Sequence, residues 1–221
     1  MRPLSHSEVP ISFSREDQWT SFSEPGKLPL ILDPVVEGST LTRVLIDGGS
    51  GLNILFPSTL KRMGLNIAKM LTPSKAPFYR IVLGNASTPL GSVTLPVTFG
   101  TAENFRTEYI KFEVANFESS YHAILGRPAL AKFMAVPHYI YLLLKMPGTN
   151  GVLSLKGDVK KSYDCDQEVI KYALTARVPE SSAEVVAAAR QLSHAEAEVA
   201  NKRPCQSRVK PNTGDVGIKA I

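Results

Sequence analysis

The residues with most chemical promise lie in the stretch Arg43 to Phe56, Arg-Val-Leu-Ile-Asp-Gly-Gly-Ser-Gly-Leu-Asn-Ile-Leu-Phe. An apolar run, Val44-Leu45-Ile46, delivers a carboxylate, Asp47, into the small-residue loop Gly48-Gly49-Ser50-Gly51, and a second apolar run, Ile54-Leu55-Phe56, follows. That order predicts an acid at the end of a buried strand. A carboxylate so placed is costly unless it is hydrogen-bonded or put to chemical use. Glycine lets backbone N–H groups approach it closely, and Ser50 adds a hydroxyl donor. Taken alone, the segment reads equally well as an Asp-Gly turn in an ordinary hairpin.

The second segment of interest is Tyr121-His-Ala-Ile-Leu-Gly-Arg-Pro-Ala-Leu130. A hydrophobic strand ending in Asp-x-Gly, a later Ile124-Leu125-Gly126-Arg127 and a Gly-bearing hairpin between them resemble the retropepsin-like aspartic peptidases. The resemblance is to the protease of retroviruses and gypsy-class LTR retrotransposons, closest to the plant-type gag-pol polyproteins, and it runs roughly from Ile11 to Tyr172. It implies a mainly β, closed acid-protease (retropepsin-like) β-barrel with short helices. It also implies that Asp47 is the catalytic acid in a loop formed with Gly48, Gly49 and Ser50, with Gly49 near the substrate. Val82, Leu83, Gly84 and Asn85 fall in the hairpin that would be the flap, and Ile124, Leu125, Gly126 and Arg127 form the supporting motif. Two positions depart from the family pattern. Gly48 stands where the family has Thr or Ser, and Gly51 stands where many retroviral members carry an Asp able to pair with the arginine of the later motif.

Hydrolysis by aspartic acids needs two carboxylates that share one proton, so that the pair is base toward water and acid toward the substrate. One strand-borne Asp-Gly-Gly per chain therefore requires a two-fold homodimer. The expected activity is an aspartic endopeptidase on a polypeptide substrate, processing a retrotransposon polyprotein. The alternative is a catalytically inactive retropepsin-fold module for dimerisation or peptide binding. A serine hydrolase on Ser50 would want Gly-x-Ser-x-Gly, but Leu52 holds the last place. His-Glu-x-x-His, Cys-x-x-Cys and phosphate-loop signatures are lacking, so no metal and no cofactor is expected. The four histidines are scattered, and His122 reads as a surface or packing residue.

The elements around these residues follow from the chain read in order. Residues 1–26 read as an extended, weakly ordered lead-in. Leu28 to Val36 reads as a strand interrupted by Pro34, and Thr40 to Ile46 as its return, a hairpin feeding the acid. Pro57 to Met63 reads as a short helix stopped by Gly64, and Met70 to Ala76 as a polar loop. Strands are expected over Phe78–Leu83, Gly91–Phe99, Phe105–Val114, Tyr121–Leu125, Tyr139–Lys145 and Val152–Leu155, with a helix from Gly126 through Phe133. Roughly eight or nine short strands and two short helices argue for a closed or nearly closed β body over 27–157. Residues 158–200 read as a helical extension, helical over Asp164–Thr175 and again after the capping box Ser181 to Glu184, and 201–221 as a disordered linker. Asp215-Val216-Gly217 repeats Asp-x-Gly, but no apolar strand leads into it.

Composition bounds the remainder. With 221 residues, 43% of them hydrophobic, the chain can bury one sizeable core. The net charge of +5 is concentrated late, at Lys160, Lys161, Lys202, Arg203, Arg208 and Lys210, mixed with acids and without aromatics, so direct nucleic-acid binding is not expected. Two distant cysteines, Cys165 and Cys205, suit a reducing compartment. Without an apolar leader or a long apolar run, no membrane association is expected; the cytoplasm, or a virus-like particle within it, is the expected location.

Overall fold

The structure, a computed structural model, describes residues 10–74, 89–116 and 119–175. Over these residues the chain is mainly β, with one curled mixed sheet, a smaller antiparallel sheet and a few short helices. The elements are β1 (Leu30–Leu32), β2 (Val35–Val36), β3 (Ser39–Thr40), β4 (Val44–Ile46), β5 (Ile54–Leu55), α1 (Pro57–Arg62), α2 (Ile67–Met70), β6 (Gly91–Gly100), β7 (Phe105–Val114), β8 (Ala123–Leu125), α3 (Arg127–Phe133), β9 (Val136–His138), β10 (Leu143–Gly148), β11 (Gly151–Lys156) and α4 (Val159–Thr175). The expected flap residues Val82, Leu83, Gly84 and Asn85, and the tail 176–221, lie outside the described residues.

The large sheet runs β1-β4-β8-β5-β7-β6-β2-β3. Its ends are brought together by the sequence around Pro34. The expected single strand Leu28–Val36 is two strands at opposite sides of the sheet, β1 on β4 and β2 on β6, and Asp33-Pro34 carries the chain between them. Proline has no N–H to donate to a ladder, so pairing stops there while the covalent chain continues. The sheet is thus curled and joined through the backbone, with its hydrogen-bond ladder open. The expected return strand Thr40–Ile46 is also broken: Glu37 and Gly38 make a tight β2–β3 turn at positive φ, and Arg43, at φ +54, re-aims the chain into β4.

Long strands follow their alternation. In β6 and β7, ten residues each and paired throughout, Val93, Leu95, Val97, Phe99, Ile110, Phe112 and Val114 face inward. Phe105 and Tyr109, at the other end of β7, are exposed. The core also takes Leu30, Val44, Ile46, Leu55, Leu60, Leu125 and Phe133, the last edge-on to Phe99 at 5.2 Å. Each such side chain contributes about 1.5–3 kcal/mol on burial. α1 and α3 each begin with Pro in the first turn, as expected.

Four expectations change. Tyr139–Lys145 is no continuous strand: Tyr139–Leu142 is a turn between β9 and β10, with Leu142 at φ +45 yet fully buried. A helical turn not expected from the sequence, α2, runs Ile67–Met70 and takes in only the first residue of the expected polar loop. The lead-in, over residues 10–26, is docked: Trp19 and Phe22 pack on the core, and Lys145 donates to Ser12 O and Asp17 at 2.8 and 2.6 Å. A capping box between Ser14 and Asp17 fixes the local turn. Finally, α4 starts at Val159, earlier than expected, and packs against β1, with Cys165 fully buried and Arg43 paired to Glu168 at 3.0 Å.

Candidate active site

Strands β4 and β5 are consecutive in the chain but do not pair with each other. β8 lies between them, parallel to β4 (Ile46↔Leu125) and antiparallel to β5 (Ile54↔Ile124). The loop 47–53 must therefore arch over the C-terminal end of β8. It is stitched there by backbone bonds: Asp47 N–H donates to Leu125 O at 2.9 Å, and Arg127 N–H donates to Ser50 O at 2.9 Å. Gly126 sits directly under the arch. A Cβ on it would lie 2.3 Å from Leu52 O and 2.7 Å from Ser50 O, so only glycine fits.

The structure thus brings together Asp47, Gly48, Gly49 and Ser50 with Leu125, Gly126 and Arg127, and Ile124 packs on the small cluster of Ile54, Phe56 and Ala115 behind the loop. Asp47 is half-buried, and its Oδ1 accepts the Gly49 N–H at 2.8 Å. The expected donation from Ser50 to the acid is not made. Its hydroxyl donates to Leu52 O at 2.8 Å and accepts from Leu52 N–H at 3.3 Å, closing the loop on itself, as serine does in turns. Arg127 is exposed, and among the described residues no carboxylate bonds its guanidinium; one terminal nitrogen lies 3.5 Å from where a Cβ on Gly51 would stand.

Two residues missed at the sequence level complete the loop. Asn53 is buried; its Oδ1 accepts from Gly126 and Ala129 N–H at 3.0 and 3.3 Å, and its amide donates to Lys111 O at 2.9 Å, tying loop, α3 and β7 together. Tyr139 presents its hydroxyl to the Gly48 N–H, which donates to it at 2.8 Å. Neither was legible, because each partner is remote in the chain.

Asp47, Gly48 and Gly49 open onto a cleft of about 620 Å³ that is also lined by Lys27, Leu28, Leu45, Tyr121, Tyr139, Asp166 and Val169. Burial, with smaller contributions from Cys165, Asp166 and Asp47 among others, pushes the Tyr121 hydroxyl up to about 12, so it stays protonated at any working pH. Lys27 is drawn upward by its hydrogen bond to Glu24 and remains a cation at the rim. His122 lies away from the acid: it sits between Thr42 Oγ1 and the Arg62 guanidinium, each at 3.1 Å, as a packing residue. Among the described residues no cluster of His, Cys, Asp or Glu could hold a metal ion, and no helix is long and apolar enough to cross a membrane.

No family model matches the chain, and no curated protein matches it. Solved structures similar to it include the retroviral protease-like domain of Ddi1 from Leishmania major, 15% identical over 60% of this chain and 98% of that one, with a TM-score of 0.44. A retropepsin-like aspartic protease from Rickettsia conorii is 18% identical over 57% and 84% of the two chains, at 0.38. EIAV protease, solved with the inhibitor HBY-793, is 18% identical over 51% and 92%, at 0.32. All three are distant likenesses, and the reading of the site rests on its own geometry.

Proposed function

We propose that the chain is an aspartic endopeptidase that acts as a homodimer, each subunit contributing Asp47, and that it processes the retrotransposon polyprotein to which its motifs point. The observation that carries this reading is the arch: a strand-borne carboxylate at the mouth of a cleft, its loop held by backbone bonds to Leu125 at the end of β8 and Arg127 at the start of α3. One such carboxylate per chain makes half a dyad. Across a two-fold axis, one ionised Asp47 takes a proton from water while its protonated counterpart donates to the scissile carbonyl oxygen. Water oxygen bonds to that carbon; on collapse of the tetrahedral species the C–N bond breaks, the Asp47 that took the proton of water gives it to the amine nitrogen, and its counterpart takes back a hydroxyl proton, which restores the dyad. The polypeptide would lie extended in the cleft, bonding through its main chain. The exposed Gly49, and Val169 and Ile140 near the rim, leave surface for a second subunit to cover. This reading places the protein in the cytoplasm or in particles assembled there.

Cleavage of an extended peptide mixture at about pH 4 to 7 tests it, with Asp47→Asn as the comparison. The unaltered protein is expected to cut and the variant to be silent, with both melting alike. Gly48 favours a competing reading, a non-catalytic dimerisation or peptide-binding module. Peptide binding without cleavage by a folded dimer would establish that one instead.

A further inference from the structure

The geometry points to Tyr139 as the positioning residue of the acid loop, its phenol supplying from β9–β10 the hydroxyl that residue 48 lacks; this rests on the protease reading above. Three observations converge. The Gly48 N–H, one residue past the acid, donates to the Tyr139 hydroxyl at 2.8 Å. The phenol lines the same cleft as Asp47 and is anchored behind by packing on the core. A Cβ on Gly48 would stand 3.1 Å from that hydroxyl, closer than side chains normally approach.

The last distance makes the two residues alternatives. A serine or threonine at 48 would push the phenol back by a few tenths of an ångström and weaken its bond to the backbone, whereas with glycine at 48 the phenol reaches the backbone at 2.8 Å. Of the three amides that follow the acid, Gly49 N–H is committed to Asp47 Oδ1 and Ser50 N–H to Asp47 O, so Gly48 N–H is the one that ties the loop outward. A hydroxyl carries one proton and two lone pairs. After accepting from Gly48, the phenol keeps its proton to donate toward the cleft.

The test uses the full chain with glycine and serine amides labelled. In Tyr139→Phe, the Gly48 amide is expected to exchange with solvent about five- to tenfold faster, with Ser50 unchanged, and kcat to fall about five- to tenfold with KM little altered. Gly48→Ser is expected to restore most of kcat in the Tyr139→Phe background and to give no gain beside the native tyrosine. Unchanged Gly48 exchange would overturn the inference. So would an equal speeding of the whole loop with a lowered melting temperature, or the same effect of Gly48→Ser in both backgrounds. If the folded, dimeric native protein cuts nothing, the protease reading fails, while Gly48 exchange still decides whether Tyr139 holds the loop.

Discussion

Gly126 shows how narrowly the acid loop is specified at the level of single atoms. It adopts an extended backbone open to any residue, so its requirement is space: two carbonyl oxygens of the arch occupy the place of a Cβ. Gly126→Ala is expected to destabilise the fold by about 1–3 kcal/mol, read as a lowered urea midpoint at unchanged slope. It should also reduce any cleavage more than the stability loss explains, because the displaced oxygens belong to Ser50 and Leu52. Asp47, Gly49 and Gly126 could be picked out in the sequence because strand-Asp-Gly and Ile-Leu-Gly are local patterns. Asn53 and Tyr139 could not, since what they do depends on Gly126, Lys111 and Gly48, none of which is near them in the chain. Ser50 was misread for a related reason: a serine hydroxyl finds the nearest backbone group, and Leu52 was nearer than the acid.

Among elements, those announced by a strong local rule were legible. α1 and α3 carry Pro in the first turn, and β6 and β7 alternate over ten residues. The expected strand Tyr139–Lys145 is strand only from Leu143, because its apolar run spans a turn in which Leu142 is buried and Ile140 exposed as well as the start of β10, and composition alone does not distinguish the two. The junction of β4, β8 and α1 holds a titratable group whose behaviour follows from its setting. Burial, reinforced by Arg62, holds His122 below the ordinary imidazole value, and Thr59 Oγ1 donates to its carbonyl at 2.8 Å. Above about pH 6.5 the ring is neutral in folded and unfolded chains alike. As pH falls through that value the unfolded chain takes up the proton first, so stability declines, and the decline ends once the folded chain is protonated too. The melting temperature is expected to drop across this window in the native protein and to stay flatter in His122→Gln.

At the scale of the molecule, the segment before the sheet belongs to the body. Its composition, rich in Ser, Pro and Glu with few apolar residues, reads as a loose lead-in, because the partner of Asp17, Lys145, lies far away on β10. The hydrogen bond from Lys145 holds the Asp17 carboxyl below the usual carboxylate range. The contribution of that pair is therefore complete above the unfolded carboxylate value and lost only as pH falls through the lower folded one. Trp19 is the sole tryptophan, packed on the core with Lys156 over its ring at 5.6 Å, so its emission reports the docking. Asp17→Asn is expected to shift that emission to the red at neutral pH, whereas the native protein should shift only below about pH 4. An unchanged spectrum in the variant would show that packing alone holds the segment. The insertion of β8 between β4 and β5 also bears on when the protein can act. Val44 pairs with Ala123, and the arch over Gly126 has nothing to close upon until that distant strand is in place. Pairings so far apart in the chain form slowly, after local ones. A chain still emerging from the ribosome therefore carries its acid on an unformed loop, and on the protease reading proposed above any precursor would be spared until synthesis has passed Arg127.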